Sequence, residues 1–136
     1  MSFSDYFEVK VLDYFFGQTA YTVPATLYFG LATAEITDTT TGTTVTEPSG
    51  GDYARVAVTN ADKTNWNNAA AGALTNKTDI EFPEATASWG TVTYMFIADA
   101  ATVGNIIAWG ALTASKAIGV GDNAKFAAGD LSIALD

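Results

Sequence analysis

The chain has no cysteine and no histidine. Without cysteine it has no disulfides, no thiolate metal sites and no cysteine nucleophile. Without histidine it lacks the commonest general base, the serine–histidine–aspartate relay and the usual zinc ligands. These two absences remove most common catalytic constellations, so we expect a protein that is not an enzyme and that holds no cofactor and no metal.

Positive charge is also scarce, with 6 Lys and Arg residues against 15 Asp and Glu residues and a formal net charge of −9. Nucleic-acid binding needs basic clusters that neutralise phosphates, and anionic membrane surfaces attract basic segments for the same reason. The charge balance therefore argues against both partners. No apolar run approaches the roughly 18 residues of a membrane-spanning segment, and no signal-peptide pattern opens the sequence.

Hydrophobic residues make up 49 % of the chain, and the longest strand-like apolar run covers residues 89–100 (WGTVTYMFIADA). Alternate residues of a strand face opposite sides, and both sides of this run become apolar after Tyr94. The run therefore predicts a central strand that is covered on both faces. A glycine-containing turn joins it to a second two-faced apolar run at residues 106–112, which predicts a hairpin.

Shorter strand patterns surround this hairpin. They cover residues 25–34, 52–59, 78–82, 117–120, 125–128 and 131–135. Pro83 is expected to end the strand at residues 78–82 because proline cannot donate to a sheet, and Gly30 indicates a bulge or a close-packing point. Residues 36–51 form a threonine-rich loop, which is either solvated or clasps a partner.

About eight to ten short strands with regular turns predict a mainly β fold of 136 residues. The expected architecture is a two-sheet antiparallel sandwich, jelly-roll-like, with one N-terminal helix. We expect a single domain over residues 1–136, with the helix at residues 1–17 and the sandwich at residues 25–136.

Residues 3–16 (FSDYFEVKVLDYFF) predict that helix, capped by Ser2 or Ser4 and ended by Gly17. Its apolar residues lie on two sides, so the helix needs two packing partners. Either both sides are buried within the domain, or one side packs on a neighbouring subunit. The residues that share one side, and that form the candidate partner interface, are Phe3, Phe7, Val11, Tyr14 and Phe15.

Carboxylates are the remaining acid–base groups. Asp79, Glu81 and Glu84 lie close in sequence, but strand alternation puts Asp79 and Glu81 on the solvent face, which argues against a catalytic pair. Among the tryptophans, Trp109 is expected in the core and Trp89 at the end of the sandwich. Trp66 lies in an asparagine-rich loop and is the candidate ligand contact, for example for a glycan.

Several stretches together resemble a family of small β-sandwich virion structural proteins of tailed bacteriophages, of the tail-fibre or head-decoration type. They follow the aromatic N-terminal segment in order. They are residues 24–31 (PATLYFGL), 50–55 (GGDYAR), 57–59 (AVT), 80–93 (IEFPEATASWGTVT), 110–113 (GALT) and 126–133 (FAAGDLSI). The threonine-rich first loop departs from the more varied polar loop that is usual in the family.

The resemblance implies a non-enzymatic component of the virion. Our first hypothesis is a capsid decoration or cement protein, a dimer or trimer that binds the major capsid protein or other virion proteins and stiffens the head shell. The alternatives are a protein associated with the tail or tail fibre, and a glycan-binding module on the virion surface that uses Trp66.

Overall fold

A computed structural model describes residues 1–134 of the chain. The elements are, in order, β1 (Ser2–Phe3), α1 (Asp5–Phe15), β2 (Thr26–Ala32), β3 (Val56–Thr59), β4 (Ala73–Thr75), β5 (Ile80–Glu84), β6 (Gly90–Ala98), β7 (Ile106–Ile118), β8 (Asn123–Phe126) and β9 (Ser132–Ala134). The fold is mainly β with an N-terminal helix, as the sequence predicts. The predicted last strand extends to Leu135, which lies outside the described residues together with Asp136.

The main sheet has the strand order β1-β7-β6-β2-β3, and all its neighbouring strands are antiparallel. β6 lies in the middle, where Phe96 is opposite Gly30 on one side and opposite Trp109 on the other. The prediction of a central strand is therefore confirmed, and so is its hairpin with β7.

One face of this sheet packs on a second layer made of two two-stranded ribbons, β4–β9 and β5–β8. Phe29 and Ile97 of the sheet share a buried apolar cluster with Phe82 of β5 and with Leu131 next to β9. The fold is thus a β-sandwich whose second layer consists of separate ribbons.

A long loop between β2 and β3 covers the opposite face of the sheet. Ile36 and Val45 of this loop pack against Phe96, Ala98 and Ile106. β6 is therefore apolar on both faces because one face meets the ribbons and the other meets the loop.

Arg55 holds this loop in place, and we call its set of contacts the Arg55 clamp. Its guanidinium donates to the carbonyls of Gly42 at 3.3 Å, Ala100 at 2.9 Å and Val103 at 2.8 Å. It also forms an ion pair with Glu47 at 2.6 Å. The clamp joins the loop to the β6–β7 turn. The loop is therefore packed against the rest of the protein instead of extending freely into solvent.

Several elements differ from their predicted bounds. Residues Ser2–Phe3 form a strand because their backbone pairs with Ala108 and Trp109 of β7, which leaves a helix that begins at Asp5. β5 continues through Pro83 to Glu84, and a register shift between Glu81 and Glu84 accommodates the missing N–H of the proline.

β3 is shorter than predicted because Asp52 has a φ of 59° in a turn, so the strand starts only at Val56. β7 is longer than predicted, since it runs without a break to Ile118 and includes part of the separate strand expected at residues 117–120. In the part of the chain that the structure covers, no helix has the length and apolar character needed to cross a bilayer.

Candidate functional site

The helix α1 leaves the body of the protein as a projecting arm. None of its residues is buried. At its far end Tyr14, Phe15 and Phe16 are 59 %, 69 % and 88 % exposed, and we call these three residues the aromatic tip. Val9 and Leu12 are exposed on the same helix. Exposed apolar side chains that lie together in this way often mark an interaction site.

The base of the arm is fixed to the main sheet. Ser4 caps the helix, since its side chain accepts a hydrogen bond from the backbone N–H of Phe7. The Ser4 hydroxyl donates to the carbonyl of Ile106, and the Ser4 N–H donates to the carbonyl of Ile107 at 3.1 Å. The chain after the helix returns to this base, where the rings of Tyr21 and Phe7 are 6.1 Å apart. The hydrogen bonds that hold the arm are thus at its base, while Lys10 and Val11 in the middle of the helix are half-buried.

The five residues that the sequence places on one helix face lie in different environments in the structure. Phe3 lies on β1 and Phe7 on the first turn of α1, and both pack against the main core. Val11 is half-buried, whereas Tyr14 and Phe15 are exposed. Leu12 and Phe16 also belong to the exposed surface but are not among those five residues. The apolar character of both sides was the signal that could have included them.

An apolar cavity of about 460 Å³ opens beside the base of the arm. Its floor is the main sheet, at Leu27, Ile97 and Ile107, and its walls come from the arm base and from the loop around Trp66. The other apolar or aromatic residues that line it are Phe3, Phe7, Tyr21, Val23, Pro24, Ala69, Leu74, Ala108 and Ile133. A larger groove of about 700 Å³ along β7 has a more polar lining and lies away from the Trp66 loop.

Polar groups at the cavity are few, and most have partners within the chain. The amide of Asn60 donates to the carbonyl of Pro24, and the amide of Asn67 donates to the hydroxyl of Thr75. The hydroxyl of Tyr21 is buried without a hydrogen-bond partner among the described residues. Burial, followed by the nearby Tyr6 and Asp99, raises the pKa of Tyr21 to about 12. Lys63 is exposed and is the single charged residue among those that line the cavity.

The three tryptophans take different positions. Trp89 is buried and donates from Nε1 to the carbonyl of Gly51 at 2.8 Å. Trp109 is half-buried and packs against the cluster beneath the long loop. Trp66, the candidate ligand contact, lines the cavity but is half-buried, with its ring 6.0 Å from that of Phe29. It forms a wall of the cavity rather than a free aromatic platform.

The carboxylates around Pro83 take part in surface contacts. Asp79 accepts from the N–H of Ala128 at 2.9 Å and from Lys125 at 3.2 Å. These contacts lower the pKa of Asp79, with the Ala128 hydrogen bond as the largest cause. Over residues 1–134 no group of three or more carboxylates is placed to hold a metal ion.

The match to a known family covers nearly the whole of the described chain. A family model described as Podophage GP4 fiber I protein gp80 matches residues 2–134. The chain belongs to this family. Membership in the fiber I family confirms the resemblance seen in the sequence and makes the protein a phage structural protein of the tail-fibre type. No curated protein matches the chain.

Proposed function

We propose that this protein is a non-enzymatic subunit of a phage tail fibre, which acts by binding other virion proteins through its projecting arm. The observation that carries the proposal is the family match over residues 2–134, whose description names a fibre protein. That description favours the tail-fibre alternative over capsid decoration, which was our first hypothesis from the sequence.

The arm supplies a physical basis for such binding. A partner that covers the apolar side chains of α1 gains about 25 cal/mol of binding free energy for each Å² of apolar surface removed from water. A structural protein present in several copies gains from each repeated contact, since linked contacts reinforce one another. We infer that the arm binds a second copy or another virion protein and that the fibre is a homo-oligomer.

Incorporation of an arm variant into phage particles tests this proposal. Phe16→Asp should lower the stability by no more than about 1 kcal/mol, because Phe16 contributes little to the core and the cost is that of a carboxylate at a helix C-terminus, but it should remove most of the protein from purified virions. Val120→Asp is the matched control, since Val120 is 75 % exposed in a turn far from the arm in sequence. Quantitative immunoblots of purified particles measure both variants.

Separate immunoblots of heads and tails from disrupted particles decide the location. Recovery of the protein with the tail fraction supports a fibre subunit. Recovery with tail-less heads would support the capsid decoration hypothesis instead. Phe16→Asp at wild-type levels in virions would show that the arm is not the attachment element.

A further inference from the structure

We propose that the aromatic tip of one copy seats in the apolar cavity of a second copy. This inference rests on the proposed role of the arm in assembly and names the surface that receives it. The tip consists of Tyr14, Phe15 and Phe16, and the cavity lies between the main sheet, the arm base and the Trp66 loop.

The tip cannot fill the cavity of its own chain. Phe7 is part of the cavity wall and belongs to the same rigid helix as the tip. The nine residues from Phe7 to Phe16 place the tip about 13 Å away along the helix axis, at 1.5 Å per residue. Ser4 fixes the base to β7, so the arm cannot slide inward. An aromatic tip that fills the cavity must therefore come from another molecule.

The area favours a tip in a cavity over two tips against each other. An aromatic side chain offers roughly 200 Å², so exposures of 59 %, 69 % and 88 % leave roughly 400 Å² on one tip. Two tips in contact would bury roughly 800 Å² in total, the size of a crystal-packing contact. A tip in a cavity also covers the lining, so two such contacts in a dimer that exchanges arms bury roughly 1,100 Å² in total, above the roughly 1,000 Å² expected of a biological interface.

Charge at the two surfaces agrees with this arrangement. Asp13 directly precedes the tip, and Lys63 is the one charged residue that lines the cavity. The chain carries a net charge of −9, so a contact between two copies is repulsive unless opposite charges meet at it. Placing Asp13 of one copy near Lys63 of the other supplies such a pair.

The chemistry of the cavity favours this occupant over a glycan. A sugar needs several free donors and acceptors, whereas the amides of Asn60 and Asn67 already bond within the chain, which leaves Tyr21, Lys63 and Asn68. Aromatic side chains need an apolar enclosure, which Leu27, Ile97 and Ile107 provide.

Disulfide trapping tests the proposal cleanly because the native chain has no cysteine. Full-length Phe16→Cys protein is mixed with full-length Asn68→Cys protein and oxidised, since Asn68 lines the cavity. We expect a covalent dimer from the mixture at several-fold higher yield than from either variant alone. Both positions are exposed, so both variants should fold, which thermal unfolding checks.

Two outcomes would overturn the proposal. Efficient crosslinking of Phe16→Cys alone would show that tips pair with each other, and no crosslinking in any mixture would show that copies do not meet there. In the second case, loss of Phe16→Asp from virions would still support the proposed function, with a different partner for the arm. A glycan that protects Asn68→Cys from a thiol reagent, with no crosslink, would make the cavity a sugar site instead.

Charge reversal provides an independent measure within the same experiment. Adding Asp13→Lys to the Phe16→Cys protein should lower the crosslink yield about 2- to 5-fold, as expected for the loss of an exposed ion pair. Adding Lys63→Asp to the Asn68→Cys protein as well should restore the yield. Failure of the double reversal to restore it would contradict the proposed seating.

Discussion

Gly30 shows how closely two neighbouring strands of the main sheet are matched. It lies on β2 opposite Phe96 of β6, and the ring of Phe96 occupies the space where a Cβ at Gly30 would be. Phe96 is fully buried and also lies beneath the Arg55 guanidinium, 5.0 Å from ring centroid to charge, so it has no free direction in which to move. The sequence indicated a bulge or a close-packing point at Gly30, and the structure confirms the close packing.

Gly30→Ala should therefore destabilise the protein by about 1–3 kcal/mol, the usual cost of overpacking a core. Urea unfolding measures the loss. Gly119→Ala is the control, because the nearest heavy atom to a Cβ there is Oδ2 of Asp122 at 3.7 Å, and its effect should stay within about 0.5 kcal/mol. Equal midpoints for the two variants would mean that β2 and β6 can separate more easily than their packing indicates.

At the scale of elements, the Arg55 clamp replaces regular secondary structure over the long loop. The guanidinium is bonded to backbone carbonyls from both the loop and the β6–β7 turn, and Glu47 neutralises its charge. Tyr53 donates to the same Glu47 carboxylate at 2.8 Å. One buried side chain thereby reinforces a link between two connections that a backbone hydrogen bond from Gly42 N–H to the Gly104 carbonyl also makes.

Arg55→Met should cost about 3 kcal/mol or more, because it leaves three carbonyls without their donor and the Glu47 carboxylate with the Tyr53 hydroxyl but no opposite charge. Hydrogen exchange should rise in the long loop and in the β6–β7 turn, and change less in β6 itself. Lys125→Met removes the exposed ion pair with Asp79 and should leave the unfolding midpoint unchanged. An exchange pattern that is the same in Arg55→Met and in the wild type would show that the loop is held by the packing of Ile36 and Val45 and by backbone hydrogen bonds such as that from Gly42 to Gly104.

Elements with a strong local pattern could be predicted from the sequence, and elements made by distant pairing could not. β6 and β7 were predicted because long apolar runs with a turn between them specify a hairpin. β1 has only two residues and owes its strand geometry to β7, more than a hundred positions later, so no local pattern marks it. Pro83 was expected to end β5 because the sequence does not show the register shift that accommodates it.

The candidate site was predicted only in part for the same reason. The helical pattern predicted Tyr14 and Phe15 as interface residues but not Phe16, and the polar loop drew attention to Trp66. The cavity, however, is lined by residues from separate parts of the chain, including Phe3, Trp66, Ile107 and Ile133. A concave surface of that kind depends on the three-dimensional arrangement of the strands, which periodicity alone does not specify.

At the scale of the whole molecule, buried tyrosine hydroxyls link stability to alkaline pH. Burial, and then the Glu47 carboxylate, raises the pKa of Tyr53 far above its usual value. Burial also raises the pKa of Tyr21, to about 12, and that of Tyr6. In the unfolded chain these tyrosines lose their protons near pH 10, while the folded protein retains them. The unfolded state then binds fewer protons, so the free energy of unfolding falls as the pH rises above 10.

We expect the thermal midpoint of the wild type to decrease steadily above about pH 10, and we expect no such decrease from these groups at lower pH. Tyr53→Phe should lower the midpoint at neutral pH, because it loses the hydrogen bond to Glu47, but its decrease above pH 10 should be shallower. Tyr14→Phe, at an exposed position, should follow the wild-type slope. Parallel slopes for Tyr53→Phe and the wild type would show that Tyr53 does not carry the alkaline effect.

The Arg55 clamp has a consequence for how this protein can change over evolutionary time. It holds the long loop from the inside through the carbonyl of Gly42, a group that does not depend on the outward side chains. The threonines at positions 37, 39 and 43 face solvent, and the hydroxyls of Thr37 and Thr39 bond to other threonine hydroxyls of the same loop. Outward residues can thus be exchanged while the path of the backbone stays fixed. The loop can accumulate sequence diversity on a constant scaffold, much as a binding loop does in a recognition domain.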